Sequence, residues 1–200
     1  MDRIGDTWGE PVNPGEPINT DGGEFFPSLT ADGTLYFTHN DAGSNINEIF
    51  RSHWTDGAFT EPEKLTVQVN CGTNRYNAFV ARDESYMIVP AVGMPDAYDG
   101  VDYYIVFHDD QDRWSEPVNM GAAINADNVR GWSPYVSPDG KYFFFMATRT
   151  RDIDQLDWNY NTLRKIYNSS ENGNADIYWM EAGVIEELRL KAKFNGRLGD

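Results

Sequence analysis

The sequence predicts an all-β fold in which a four-stranded unit recurs about three times. One observation is composition, because aromatic residues make up 14% of the chain, alongside 18 glycines and 10 prolines. Such a balance favours strands and tight turns over helices. The other is an internal repeat with a period of about 50 residues, which is typical of repeat architectures.

The repeat is visible in several aligned positions. The stretches PSLTADGTLYFT, AFVARDESYMIV and SPYVSPDGKYFFF place Asp32, Asp83 and Asp139 at equivalent points. A second group of three positions lies around the motif W-x-E-P-V-N, and each position recurs at the same two intervals along the chain. The positions are Trp8, Phe59 and Trp114; Pro11, Pro62 and Pro117; and Asn19, Asn70 and Asn125. Agreement among independent positions shows that the units are related.

Each repeat is predicted to contain four strands. The first has strands over 24–29, 34–39, 47–53 and 58–65, and its Asp-Gly turns are hairpin signals. Pro62 places the fourth strand at a sheet edge, because proline cannot donate to a strand ladder. The later strands are expected over 76–81, 86–91, 101–108 and 113–118 in the second repeat, and over 132–136, 141–147, 175–180 and about 184–188 in the third.

The third repeat contains an insertion. Acidic residues open the third strands at Glu48, Asp102 and Asp176, and the interval from Asp102 to Asp176 is much the longer of the two. The extra residues lie at about 150–172. Part of them, 155–168, has partly helical apolar spacing and is expected to form a short helix across one sheet.

A recurring four-stranded unit of this length is typical of a β-propeller blade. The chain is therefore expected to be one domain over residues 1–200, with blades at about 24–65, 75–118 and 130–190. The aligned aromatic residues Trp8, Phe59 and Trp114 are expected to pack between neighbouring blades.

The repeated SPDGKYFFF, the DIY of the third strand and the W-x-E-P-V-N-x-G-x-x-I-N spacers resemble TolB-type, WD-repeat-like (PD40) β-propellers. The resemblance implies a non-enzymatic binding module of periplasmic or secreted type. Such propellers usually have six or seven blades, whereas this chain supplies about three. It is therefore expected to be either the C-terminal part of a longer propeller or half of a six-bladed ring that a homodimer completes.

The charge argues against some partners. A net charge of −16 disfavours nucleic acid and anionic membranes. It is expected to serve solubility; the alternative is a surface that binds cations or a basic partner. No stretch is long and apolar enough for membrane insertion, and MDRIGDTWGEPV is not a signal peptide. The single Cys71 is expected to be a small, partly buried side chain and not a nucleophile.

A ligand site is predicted at the channel mouth. The residue five positions after each aligned asparagine is charged, which selects Glu24, Arg75 and Arg130. With the neighbouring Tyr76, Asn77 and Trp132, they could hold a carboxylate, a sugar or a protein segment. The alternative is that the charged residues form salt bridges between blades.

No catalytic residue, metal ligand or cofactor is predicted. His39, His53 and His108 show no catalytic or metal-binding spacing, and the acidic runs at 109–112 and 152–157 suit solvated turns better than calcium loops. The Asp-Gly turns are similar to sialidase Asp-boxes but lack the closing tryptophan, and are interpreted as structural. The sequence thus favours a non-enzymatic binding module; the alternative is a glycan- or peptide-acting hydrolase.

Overall fold

The computed structural model describes residues 1, 3–98, 100–126, 131–152 and 156–194. This part of the chain is all-β, as predicted, with 41% of residues in strands and 10% in helices. The elements are β1 (Arg3–Ile4), β2 (Thr7–Trp8), β3 (Gly23–Leu29), β4 (Leu35–Asn40), β5 (Glu48–Ser52), β6 (Trp54–Thr55), β7 (Ala58–Phe59), β8 (Glu63–Lys64), β9 (Asn74–Arg75), β10 (Phe79–Val80), β11 (Tyr86–Val92), β12 (Asp102–Asp109), β13 (Arg113–Trp114), β14 (Val118–Asn119), α1 (Ala122–Asn125), β15 (Trp132–Val136), β16 (Tyr142–Thr150), α2 (Tyr160–Tyr167), β17 (Asn172–Glu181) and α3 (Val184–Arg189).

The first repeat forms an antiparallel sheet with the strand order β3-β4-β5-β8. At the turn between β3 and β4, Gly33 has a φ of 93°, which glycine adopts without strain. The Asp32 carboxylate accepts a hydrogen bond from the Thr34 N–H across the same turn. The predicted strand 58–65 is divided: β7 forms a hairpin with β6, and β8 joins the sheet edge directly after Pro62.

The second repeat forms a sheet around the long strands β11 and β12. The short strands β9 and β10 both pair with β11, and β13 and β14 both pair with β12. Both faces of this sheet are buried. Ile88 and Ile105, which are opposite each other, pack toward the third sheet, while Met87 and Val106 pack toward the first.

The third repeat forms a sheet with the order β15-β16-β17, so three described strands replace the expected four. The prediction of a strand near 184–188 is wrong, because these residues form α3. Ile185 and Leu188 are three positions apart, and a helix places both on one side. Both side chains are buried in the core shared with the second sheet, which accounts for the helix.

The first strand of every repeat is interrupted at an equivalent point. Phe26, Asn77 and Ser133 share the spacing of the aligned aspartates and have positive φ values of 51°, 27° and 51°. Register shifts occur at this point in β3 and β15, and the second repeat has the gap between β9 and β10. Such β-bulges bend a strand and change the direction of its side chains.

Two apolar cores join the three sheets. We call the face of a sheet that packs toward the next sheet along the chain its forward face, and the opposite one its rear face. Tyr36 and Ile49 on the forward face of the first sheet share a core with Met87 and Val89 on the rear face of the second. A second core contains Ile88, Tyr103, Ile105 and Phe107 of the second sheet and Phe143, Phe145 and Ala147 of the third.

The aligned aromatic residues Trp8, Phe59 and Trp114 occupy three different environments. Trp114 is buried between sheets, with its ring edge-on to Tyr36 at 6.3 Å, as predicted. Phe59 packs against the small core on the rear face of the first sheet, which contains Ile18, Leu35 and Phe37. Trp8 is exposed, so its predicted packing between sheets is wrong for the described chain; its hairpin partner β1 is exposed as well.

The aligned asparagines fasten the third strands. The Asn70 side chain accepts a hydrogen bond from Ile49 N–H at 2.7 Å and donates to Ile49 C=O at 3.1 Å. Asn125 makes the same pair of bonds to Tyr103, at 2.9 and 3.0 Å. Asn19 instead donates to the Asn13 side chain at 2.6 Å. Two of the three aligned asparagines thus make the same pair of hydrogen bonds to a third strand.

The insertion lies on the surface. Helix α2 covers part of the predicted segment, but none of its residues is buried, so it does not pack across a sheet as expected. Asn159 caps it by accepting bonds from the N–H groups of Asn161 and Thr162. Within the described residues, no helix has the length and apolar character needed to cross a membrane.

Candidate functional site

Glu24, predicted at the channel mouth, lies in β3 with its side chain largely buried. Its carboxylate accepts hydrogen bonds from Thr20 Oγ1 at 2.6 Å and from His39 Nδ1 at 3.0 Å. Burial acts to raise the pKa of Glu24, but these hydrogen bonds outweigh it and the pKa is lowered overall. Glu24 is therefore held as a carboxylate next to a histidine.

The His39 ring extends this arrangement to a second carboxylate. Its Nε2 is 3.3 Å from Asp41 Oδ1, so the ring bridges Glu24 and Asp41. A neutral imidazole has only one N–H, so a neutral ring can donate to one of the two carboxylates and a protonated ring to both. His39 and Asp41 also line a cavity of about 510 Å³ together with Glu16, Thr20, Asp21 and Glu61.

Arg75 is placed differently from the prediction. Its side chain is buried, and the guanidinium donates to Asn47 C=O at 2.8 Å and to Asn70 C=O at 3.1 Å. Burial lowers its pKa. Arg75 thus ties its own repeat to the loops of the preceding one, and its hydrogen-bond partners have no residue in common with those of Glu24.

The remaining predicted site residues join the second and third repeats. The ring centroids of Tyr76 and Trp132 are 4.6 Å apart, and Asn77 Nδ2 donates a hydrogen bond to Ser133 Oγ at 2.8 Å. These contacts bring Tyr76, Asn77 and Trp132 together around two of the bulges. Arg130 lies outside the described residues. The predicted group is thus divided into the Glu24–His39 pair, the buried Arg75 and the Tyr76–Trp132 contact.

A larger cleft, of about 1090 Å³, opens on the other side of the bulges. It is lined by residues at or after the bulges in all three first strands, and by the adjoining hairpin turns and α3. Its walls are mostly apolar and include Leu29, Phe79 and Tyr135. The Phe79 and Tyr135 rings meet edge-to-face at 5.5 Å. We take it as the candidate binding site because its volume is about twice that of the cavity beside His39.

Polar groups of both signs surround the cleft. Arg82 and Asp83 come from one hairpin turn and Asp139 from another, while Arg189 comes from α3. Arg189 is fixed, because its guanidinium lies over the Phe107 ring at 4.6 Å and donates to Glu186 at 3.1 Å. Burial raises the pKa of Tyr86, which also lines the cleft, to about 12, so its hydroxyl keeps its proton at neutral pH.

The sequence contains a signal for this cleft that the prediction did not use. Ser28, Phe79 and Tyr135 share the spacing of the aligned aspartates, and all three line the cleft. The selected positions precede the bulge or, for Asn77, form it, whereas the cleft is lined by positions at the bulge, Phe26 and Ser133, and after it. The contact of His39 with Glu24 depends on the pairing of β3 with β4, in which the two residues are directly opposite.

Two further groups limit the chemistry of the chain. Cys71 is free and buried as predicted, and burial raises the pKa of its thiol to about 11, so it stays protonated at neutral pH. Among the described residues, no cluster of three or more His, Cys, Asp or Glu side chains is arranged to hold a metal ion.

Comparisons with known proteins give little further direction. No family model matches the chain, and no curated protein matches it. Among solved structures, Kuenenia stuttgartiensis hydrazine synthase matches 72% of this chain and 42% of its own, with 14% sequence identity and a TM-score of 0.40. The chain thus spans less than half of that structure, and the likeness is too low to carry an argument about fold or function.

Proposed function

We propose that the chain forms three blades of a β-propeller and acts as a non-enzymatic binding module, with its ligand in the cleft beside the first strands. Three related sheets packed face to face, each with a bulged first strand, support the propeller. Because fold alone does not fix function, the binding role rests on the cleft itself. The TolB-like resemblance and a periplasmic or secreted location remain part of this proposal.

The observation that carries the proposal is the lining of the cleft. Apolar and aromatic side chains with a few fixed polar groups are typical of ligand sites, and exposed aromatic rings dominate binding energies at protein contacts. Leu29 and Tyr135 are exposed there, while Arg189 and the Tyr86 hydroxyl supply hydrogen bonds. A protein segment with apolar side chains fits this lining better than a sugar, because the walls are mostly apolar.

A peptide selection would test this function. Peptides from a phage-displayed library are selected on the immobilised full chain, and their affinities are measured by fluorescence polarisation. We expect Tyr135→Ala to weaken binding about tenfold or more, because it removes an exposed aromatic contact. Tyr160→Ala is the matched control, since Tyr160 is an exposed tyrosine on α2 that does not line the cleft. Equal losses in both variants, or no loss in either, would contradict the proposal.

A second candidate function follows from the Glu24–His39 pair. A hydrolase needs an acid and a base within reach of one substrate; the two groups are 3.0 Å apart, and His39 lines a cavity. Chromogenic glycosides and a fluorogenic peptide mixture are suitable substrates. If the pair is catalytic, turnover is detectable and is lost in both Glu24→Gln and His39→Asn. Without turnover in the wild-type chain, the pair is a structural link between β3 and β4.

A further inference from the structure

The forward face of the third sheet is exposed. Phe144 is opposite Trp179, and Met146 is opposite Ile177, on the side away from the core that contains Phe143. Ile177 is 79% exposed and Trp179 is 61% exposed. A contiguous apolar face of this kind on a folded chain marks a contact surface.

The equivalent residues of the other sheets are completely buried. Ile49, Tyr103 and Ile177 each directly follow one of the aligned acidic residues in their repeats. Ile49 and Tyr103 are both 0% exposed. Each is covered by the rear face of the next sheet along the chain. The chain therefore contains two copies of one kind of sheet-to-sheet contact, and the third sheet presents the forward half of a third copy.

The rear face of the first sheet presents the other half at Leu29, beside Leu35 and Phe37, which are already buried in a cluster with Ile18. Leu29 is 55% exposed, whereas the equivalent Val80 and Val136 are 2% and 6% exposed. All three are paired in the same way, opposite Leu35, Met87 and Phe143 on the second strand of their sheets. Leu29 thus lies where the other two repeats bury a side chain against the preceding sheet.

The asparagine bond shows the same complementarity. Asn70 and Asn125 each bind the backbone of the residue that follows the aligned acidic residue, Ile49 and Tyr103. Among its described side-chain partners, Asn19 contacts only the nearby Asn13 side chain and no strand. Ile177 lies in β17, an edge strand of the described sheet, and no described asparagine side chain bonds to it. Within the described residues, Asn19 therefore binds no strand, and the backbone at Ile177 has no asparagine partner.

We propose that a second copy of this chain supplies both missing halves. The forward face of the third sheet of one copy packs on the rear face of the first sheet of the other, and Asn19 fastens the backbone at Ile177 across the contact. The same contact formed twice by rotation closes a ring of six sheets. This inference rests on the proposed propeller architecture and shares Leu29 with the lining of the cleft, so it is tested by mass and by a Trp179 variant, since Trp179 does not line the cleft.

Charge sets the conditions under which the pair forms. Each copy carries a net charge of −16, so two copies repel each other at low ionic strength. Salt at about 0.15 M screens charges beyond about 8 Å, while apolar burial persists. We therefore expect the dissociation constant to fall as sodium chloride is raised from about 0.02 M to about 0.5 M.

The first test is the solution mass of the full chain, by sedimentation velocity over a range of concentrations and salt. The proposal expects a closed dimer of twice 22.7 kDa and nothing larger. A folded chain that stays monomeric at every concentration would overturn it. So would a continuous series of larger species, because a head-to-tail contact that fails to close produces open assemblies.

The second test uses variants of the two faces. Trp179→Arg and Leu29→Arg are each expected to raise the dissociation constant at least about tenfold, because each buries an unpaired charge. Leu190→Arg is the control, since Leu190 is 89% exposed and lies on neither face. Circular dichroism checks that each variant is folded, and Asn19→Ala tests the contact with a change that introduces no charge.

Mixing the two charged variants separates the proposed contact from other dimers. In a head-to-tail ring, a mixed pair keeps one contact with both faces intact, so association of Trp179→Arg with Leu29→Arg exceeds that of either variant alone. If forward faces instead paired with each other, mixing would restore nothing. Absence of restoration would overturn the proposed arrangement even where the wild-type chain is a dimer.

Discussion

At the scale of single residues, the asparagine bonds have the clearest energetic consequence. Asn70 is buried and also donates to Leu65 C=O at 2.9 Å, so its side chain satisfies three backbone groups. A buried backbone group that loses its partner costs about 1–3 kcal/mol. Asn19, with the same aligned place in its repeat, makes no such contact with a strand of the described chain.

We therefore expect Asn70→Ala to lower the free energy of unfolding by about 2–4 kcal/mol. Asn19→Ala is expected to lower it by at most about 0.5 kcal/mol, as for a surface substitution. Urea denaturation at low protein concentration measures both, with Asn125→Ala as a second buried case. If Asn19→Ala and Asn70→Ala lowered the free energy of unfolding by similar amounts, the bonds from Asn70 to the third strand would not be the source of its contribution.

A second residue-scale feature is the ion pair between Arg51 of the first sheet and Asp112 of the second repeat. The two side chains form two parallel bonds, Nη1 to Oδ1 and Nη2 to Oδ2, each 2.6 Å long. The hydrogen bonds from Arg51 lower the pKa of Asp112 from 3.8 to about 2, against the opposing effect of burial. Because the pKa of Asp112 is lower in the folded chain than in the unfolded chain, the pair stabilises the fold above about pH 4. This stabilisation is lost as the pH falls toward 2.

Asp112→Asn should therefore reduce stability at pH 6, by no more than about 1 kcal/mol because Asp112 is more than half exposed. The difference from wild type is expected to shrink as the pH falls from about 4 to about 2. Thermal unfolding across this range measures it, and Asp110→Asn, a neighbouring change without a contact to Arg51, is the control. A difference that is constant with pH would exclude an ionic origin.

At the scale of elements, Tyr103 of β12 joins the second sheet to the third. Its hydroxyl is 2.5 Å from Trp132 C=O and 2.8 Å from Met146 C=O, on two adjacent strands. Gly131, just before β15, lies against the same ring, and a Cβ at this position would overlap the carbons of the Tyr103 ring. The absence of a side chain at Gly131 lets the third sheet approach this closely.

Gly131→Ala is expected to destabilise the chain by about 1–3 kcal/mol, because the fully buried Tyr103 ring has no room to move. Urea denaturation measures the loss. Gly183→Ala is the matched control, since a Cβ there would contact nothing within 4 Å. If the two substitutions had equal effects, close approach at Tyr103 would not be the reason for glycine.

Which elements the sequence could predict depends on how local their signals are. The Asp-Gly turns and alternating strands of the first repeat are local, and β3, β4 and β5 lie where they were expected. The segment 184–188, VIEEL, is too short for its pattern to distinguish a strand from a helix. Packing of Ile185 and Leu188 into the core favours the helix. The Glu24–His39 contact depends on the register between two strands, and the cleft depends on where the bulges lie. Neither can be predicted from a short stretch of sequence.

At the scale of the whole molecule, the second sheet connects the two cores. Met87 and Ile88 are adjacent in β11, yet one belongs to the core with the first sheet and the other to the core with the third. This follows from the alternation of side chains along a strand, because both faces of the sheet are covered. Loss of the second sheet would therefore expose both cores together, so the three sheets are expected to unfold in a single cooperative transition.

The net charge of −16 acts on this whole assembly of sheets. Acidic residues outnumber basic ones 32 to 16, so folding brings an excess of negative charge together. The ion pairs that salt would weaken involve largely exposed groups such as Lys64 and Lys141, and exposed pairs contribute little. Screening of the net repulsion should therefore exceed the loss of these pairs.

We expect the melting temperature to rise by about 2–4 °C between about 0.02 M and 0.5 M sodium chloride, which corresponds to about 1 kcal/mol for a chain of this size. Differential scanning fluorimetry measures it at fixed protein concentration, with Trp179→Arg run in parallel to remove any contribution from pairing of copies. Potassium chloride is the control salt, because it screens charge in the same way as sodium chloride. A sulfate salt is unsuitable, because it would also strengthen apolar burial. A melting temperature that falls with salt in both chains would mean that the ion pairs, including Arg51–Asp112, outweigh the repulsion among the acidic residues.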